Sequence, residues 1–266
     1  MSTNKEKDPI KDIIETGSEI SGGIGGAVIG GLLAGTIGAM LGGASGPIIA
    51  KTFKIIGIEI KERFLSPRDN VRIGAAYAFA INKIDENERN GKNLRDDDFF
   101  EEIKNNRPAS EEVLEGIILS SQREFEELKI KFLGNLYANV CFRAEVSKQH
   151  INQLIKTADN LTFRQFCILQ LMNERYIESL NLNVKLRGLD RWEISIFDIV
   201  AEIRDLHQRG LLNIPITHNA GDNSSPIQLN QLSITKSGLF FCEILSLEEI
   251  EKGILDDLNS LTSFRE

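Results

Sequence analysis

The sequence predicts a mainly α protein in three parts: a glycine-dense helical segment, a helical bundle and a C-terminal helical domain with a small β-hairpin. Three observations predict it. Eleven of the 22 glycines fall between Ile20 and Ala50, in a run of 31 residues without a charge. From Lys51 to about residue 162 the chain is charge-rich, with apolar residues at helical spacing between legible caps. Beyond that, helical stretches alternate with short β-prone runs and a turn-rich loop. The expected parts are a polar tail at 1–19, the glycine segment at 20–50, the bundle at 51–162 and the C-terminal domain at 163–266.

The composition, 41% hydrophobic and 26% charged over 266 residues, excludes a wholly disordered chain and a polytopic membrane protein. A formal net charge of −8 gives the whole molecule no attraction for polyanions. Cys141, Cys167 and Cys242 form no CxxC pair and suit a reducing compartment. In the tail, Lys5, Lys7 and Lys11 stand against Glu6, Asp8, Asp12, Glu15 and Glu19. An acidic lead, a glycine-dense core and no small-residue cleavage site argue against a secretory signal.

The glycines follow a register. Gly22, Gly26, Gly30, Ala34, Gly38, Gly42 and Gly46 make an unbroken every-fourth-residue row, beside a second row of Gly23, Ala27, Gly31, Gly35, Ala39 and Gly43. On a helix, residues four apart share a face. One side is then nearly bare backbone, and Ile24, Val28, Leu32, Ile29, Leu33 and Ile37 fill the other. The pattern resembles a glycine zipper, the extended form of the GxxxG contact through which membrane helices pack closely. It implies self-association. A flexible linker calls for more Ser and polar residues than Ser21, Thr36 and Ser45 supply, and a phosphate loop needs a Gly-Lys-Ser/Thr that is missing. A buried hairpin in a soluble assembly is the remaining alternative.

At about 1.5 Å per residue, this segment as a helix exceeds the roughly 30 Å hydrocarbon core. Only seven residues of Ile20–Gly38 are Ile, Leu or Val, worth roughly −2 to −4 kcal/mol in total on the insertion scale. A lone helix inserts marginally, and a zippered oligomer that hides its glycine faces inserts far better. The expectation is a lipid bilayer as a conditional partner, with insertion coupled to homo-oligomerisation.

Ser45-Gly46-Pro47 restarts the chain, and Ile49, Phe53, Ile56, Ile60 and Phe64 then form one stripe. An amphipathic helix with lysines beside a hydrophobic span can lie on a membrane, which marks Lys51, Phe53, Lys54 and Ile56 as membrane-surface candidates. The same stripe also suits a core helix packed on the bundle. For a spanning segment, Lys51 and Lys54 favour a cytoplasmic C-terminal part, so the expected location is bacterial cytoplasm and inner membrane.

Ser66-Pro67 predicts a helix start and Gly91 its stop. Ser110, with Glu111 and Glu112 in the first turn, predicts a helix continuing to about Phe142. Ser147 and Thr162 read as further N-caps, and Pro108 and Arg95–Phe100 as breaks. Then come helices at Phe163–Tyr176 and Ile196–Gln208, the latter closed by Gly210, with β-prone runs at Leu211–Ile216 and Ile227–Thr235 around a loop at His218–Pro226. The residues Ile203–Leu212, ending in Gly210-Leu211-Leu212, followed by Leu232-Ser233-Ile234-Thr235-Lys236-Ser237-Gly238, resemble the end of a winged helix. That likeness covers roughly residues 163–246 and implies a C-terminal winged helix whose hairpin is the wing.

No chemistry-bearing constellation emerges. His150, His207 and His218 have no metal-ligand spacing, and no GxSxG, HExxH or dinucleotide fingerprint occurs in context. The thiols sit among apolar neighbours, and Asp96-Asp97-Asp98 does not match an alternating calcium loop. No cofactor, metal or enzymatic activity is expected. The candidate recognition helix carries Asp198, Glu202 and Asp205 against Arg204, and residues 163–266 hold 10 basic and 15 acidic residues. That balance argues against nucleic acid, leaving Arg209 and Lys236 as weak backbone contacts, and favours docking of an unknown protein.

Leu128–Val140, Ile151-Asn152-Gln153-Leu154-Ile155 and Leu161-Thr162-Phe163-Arg164-Gln165 resemble bacterial helical proteins of the abortive-infection alpha type, associated with phage defence. The likeness covers roughly residues 64–175. It implies a helical body and a role in defence, and brings no catalytic motif. The function expected is a non-enzymatic membrane-associated effector, with a soluble adaptor or a winged-helix DNA-binding regulator as alternatives.

Overall fold

A computed structural model describes residues 9–16, 46–63, 65–174, 194–214 and 232–262. The chain divides into two compact units, one up to Asn160 and one from Leu161. Among the described residues there are ten α-helices and one two-stranded antiparallel sheet, so the protein is mainly helical.

The first unit contains α1 (Pro9–Thr16), α2 (Gly46–Lys61), α3 (Pro67–Arg89), α4 (Ala109–Arg123), α5 (Lys129–Val140) and α6 (Lys148–Asn160), with a 3₁₀ turn at Asp98–Phe100. α3 is the axis: α1, α4 and α5 all pack on it. Its start is the expected one. Asp69 N–H donates to Ser66 Oγ and Ser66 N–H to the Asp69 carboxylate, a reciprocal cap with Pro67 in the first turn. Its centre, Ile73 to Ile81, is buried on every side, as a helix without a polar face must be. Small residues there let α5 approach to backbone contact. A Cβ on Gly134 would lie 2.9 Å from Ala76 O and from Phe79 Cβ. Past the Asn90 cap, Gly91 turns the chain at φ +77°, where a side chain would be strained.

The helix expected from Ser110 to about Phe142 is two helices. Pro108 takes the N-cap position, and Ser110 lies buried inside α4. α4 ends at Glu124, whose backbone is extended, and α5 begins at Lys129. An unbroken helix of that length would run about 50 Å, too long for both halves to cover α3. Turning at 124–128 lets α4 and α5 pack on each other and on the axis. The turn is held by a buried ion pair, Lys129 Nζ to Glu124 Oε2 at 2.5 Å, and by Glu126 N–H donating to Glu124 Oε1. The apolar period runs through the turn, so periodicity alone does not reveal it. Ser147 caps α6 as expected, its hydroxyl accepting from His150 N–H.

The second unit contains α7 (Phe163–Asn173), α8 (Ile194–Gln208), β1 (Leu212–Asn213), β2 (Ser233–Ile234), α9 (Lys236–Leu245), a 3₁₀ turn (Leu247–Glu249) and α10 (Lys252–Thr262). α7 is its centre, contacted by α8, α9 and α10. Thr162 and Gln165 form a reciprocal cap on α7, which ends at Asn173 rather than Tyr176. α8 starts at Ile194, two residues before the expected Ile196. The strands pair Leu212 with Ile234 and Asn213 with Ser233. The expected wing at His218–Pro226 lies outside the described residues.

One joint organises this hairpin. Thr235 N–H donates to Leu211 O, its hydroxyl donates to Gly210 O at 2.7 Å, and its oxygen accepts from Gly238 N–H, capping α9. Gly210 supplies the turn at φ +73°. A Cβ on Gly238 would fall 2.2 Å from Leu211 O, so the position admits only glycine. The Gly-Leu-Leu and Ile-x-Thr-x-x-Gly pieces are the two sides of one contact.

Candidate functional site

The candidate region is the glycine segment with the helices at its two ends. Gly22, Gly26, Gly30, Ala34, Gly38 and Gly42 lie outside the described residues. Gly46 is the buried first residue of α2. Among the described residues, no helix is long and apolar enough to cross a membrane.

α2 separates the four membrane-surface candidates. Lys51 and Lys54 are exposed. Phe53 and Ile56 are fully buried, so in this conformation they are core residues and cannot face a bilayer. The reason is aromatic packing: Phe53 meets Tyr77 and Tyr137 edge-on, with ring centroids 5.2 and 5.5 Å apart. The Tyr77 hydroxyl donates to Phe53 O. Burial, reinforced by the charge of Glu59, holds that phenol protonated. The face α2 does expose carries Ile48 (47% exposed) and Ile58 (45%) with Lys51 and Lys54. The expected stripe omitted both isoleucines, because the helix is apolar on more than one side.

α1 sits on α2 and α3. Ile10, Ile13 and Ile14 are buried. Gly57 makes the seat: a Cβ there would lie 3.1 Å from Ile13 Cδ1. Asp12 pairs with Lys61 at 3.0 Å, and the Thr16 hydroxyl lies 3.2 Å from Asn70 O. Charges fasten the far half of α2 to α4. Arg107 contacts Glu59 at 3.0 Å, Glu111 at 3.1 Å and Glu115 at 2.6 Å, and Arg63 also holds Glu115. Burial raises the Glu115 carboxyl, but the hydrogen bonds from Arg63 and Arg107 outweigh it and leave it below the usual range.

Arg95 is the buried charge that pattern reading missed. Its guanidinium holds Asp97, donates to Val140 O and Val146 O, and lies 4.3 Å over the Phe99 ring. Those carbonyls include the C-terminal end of α5, where a cation is favoured. An arginine two residues before an aspartate in an aperiodic stretch was the available signal. The cleft beside it, about 720 Å³, is lined by Asp97, Arg107, Glu112 and Lys148 among others. Its cations already hold carboxylates: Arg95 to Asp97, Arg107 to three glutamates and Lys148 to Glu112.

All three thiols are buried, and burial pushes Cys141 and Cys242 up to about 12. His207 Nδ1 lies 2.9 Å from Leu212 O, tying α8 to β1. On α8, Glu202 holds Arg164 at 2.6 Å and Asp205 holds Arg209 at 2.8 Å. Arg209, one of the two expected backbone contacts, therefore already holds a carboxylate. Among the described residues, no group of three or more His, Cys, Asp or Glu is placed to hold a metal ion. No protein family, curated protein or solved structure matches the chain.

Proposed function

We propose that this chain is a non-enzymatic membrane-associated effector that self-associates through a glycine zipper at residues 20–50 and perturbs the bilayer. The observation that carries the reading is the charge-free, every-fourth-residue small row from Gly22 to Gly46. The exposed face of α2 supports it, because Ile48 and Ile58 with Lys51 and Lys54 suit an anionic lipid surface beside that segment. On this reading the soluble parts stay cytoplasmic in a bacterium, at the inner membrane. The resemblance of residues 64–175 to abortive-infection proteins is what favours a role in phage defence.

The second unit is read as a winged-helix-like module that docks a protein. The helix–strand–strand–helix order and the Gly210–Leu211/Thr235–Gly238 joint support this. The pairing of Arg164 and Arg209 with carboxylates counts against a DNA-binding role.

The test is flotation of the full chain on anionic liposomes with a carbonate wash, beside the Leu33→Asp variant. An aspartate near the middle of a span costs about 2.5 to 3.5 kcal/mol, comparable to the whole gain from insertion. The wild type should resist the wash and Leu33→Asp should not. Gly38→Leu should then lose self-association and dye release together, despite greater hydrophobicity. Stronger release from Gly38→Leu would make plain hydrophobicity the driver. A wild type that never floats but sediments as a discrete lipid-free oligomer would favour the adaptor reading.

A further inference from the structure

We propose that α1 is a latch: docked on α2 and α3, it blocks single-span insertion of the glycine segment, and insertion requires its release. The inference rests on the membrane reading above and supplies its regulation. α1 ends at Thr16 and α2 begins at Gly46, and both pack in the same unit. A chain that crosses a bilayer once leaves its two flanks on opposite sides. A docked α1 and α2 are on the same side, so residues 17–45 would have to cross twice. Divided into two helices, that stretch gives about 22 Å for each, short of the roughly 30 Å of hydrocarbon. As one helix it reaches about 43 Å, which is enough. A full span and a docked α1 therefore exclude each other.

The contacts holding α1 suit a part that lets go. It is an eight-residue helix, below the length at which an isolated helix persists, so it depends on its seat. The seat includes the pocket over Gly57, the three isoleucines, the Thr16 hydroxyl near Asn70 O and a partly exposed Asp12–Lys61 pair that a charged surface can compete for. The helices beneath are fastened independently of α1. Ile49, Phe53, Ile56 and Ile60 fill the core, and Arg107 ties Glu59 of α2 to α4. Release of α1 then leaves α2 in place, with its lysine-bearing face next to the inserting segment.

The experiment closes the latch covalently. In full-length Asp12→Cys/Lys61→Cys, the two partially exposed positions are joined by a short bis-maleimide. The three native thiols are buried and stay unmodified. Linked and unlinked protein, and the wild type, are mixed with phosphatidylglycerol-containing liposomes, floated and washed with carbonate. The unlinked variant should resist the wash as the wild type does, and the linked form should wash off. Equal resistance of linked and unlinked protein would overturn the latch while leaving the membrane reading standing. If the wild type itself washes off, insertion fails and the latch falls with it, so the two failures are told apart by which samples float.

Discussion

α5 and α1 both pack on α3, and they are held in opposite ways. α5 meets the axis at backbone distance, through Gly134 against Ala76 and Ala80, with a buried hydrogen bond from Asn87 Nδ2 to Asn139 Oδ1 at 2.9 Å. α1 rests on the side with three isoleucines, the tip of Ile13 lying over Gly57. The first contact cannot open without dismantling the core. On the proposed latch, the second opens alone. On that proposal, contact through backbone ties a helix to the unit, and contact through side-chain tips leaves it free to unfold by itself.

The α5–α3 contact is most sensitive at Gly134. Gly134→Ala places a methyl 2.9 Å from the Ala76 carbonyl oxygen, where backbone rather than a flexible side chain must yield. It should cost the first unit roughly 3 kcal/mol by denaturant unfolding. A loss under about 0.5 kcal/mol would mean that α3 and α5 are not in backbone contact. Ile14→Ser comes next, because Ile14 is fully buried. On the proposed latch the helix detaches, so the cost is capped by whatever holds α1. Hydrogen exchange of the α1 amides should rise sharply while the α3 and α5 amides keep their protection. Equal loss of protection in α3 would make α1 part of the global core. The smallest effect belongs to Asp12→Asn. Its ion pair is 33–40% exposed and should shift stability by no more than about 0.5 kcal/mol. A larger change, persisting at high salt, would show that the pair is not screened as its exposure implies.

Local signals carried much of the fold. Ser66, Ser147 and Thr162 cap the helices they were expected to cap, and Gly91 and Gly210 turn the chain where expected, because caps and left-handed turns depend on neighbours in sequence. That Ile49, Phe53, Ile56 and Ile60 share one face of α2 follows from their spacing. The break at 124–128 was not legible, since the chain turns there to cover α3 while the period continues. The pairing of Glu124 with Lys129 becomes meaningful only once both are buried. Arg95 was missed for the same reason: the carbonyls it satisfies come from residues 45 and 51 positions away.

The order of residues settles a mainly helical chain, the caps at Ser66, Ser147 and Thr162, buried thiols and the charge-free register of small residues at 20–50. These are properties of spacing and composition. Long-range packing puts Phe53 and Ile56 in the core and leaves Ile48 and Ile58 outside. It also places the two flanks of the glycine segment in one unit. Which face of a helix is covered, and which ends of the chain meet, are set by partners distant in sequence, and no local pattern encodes them.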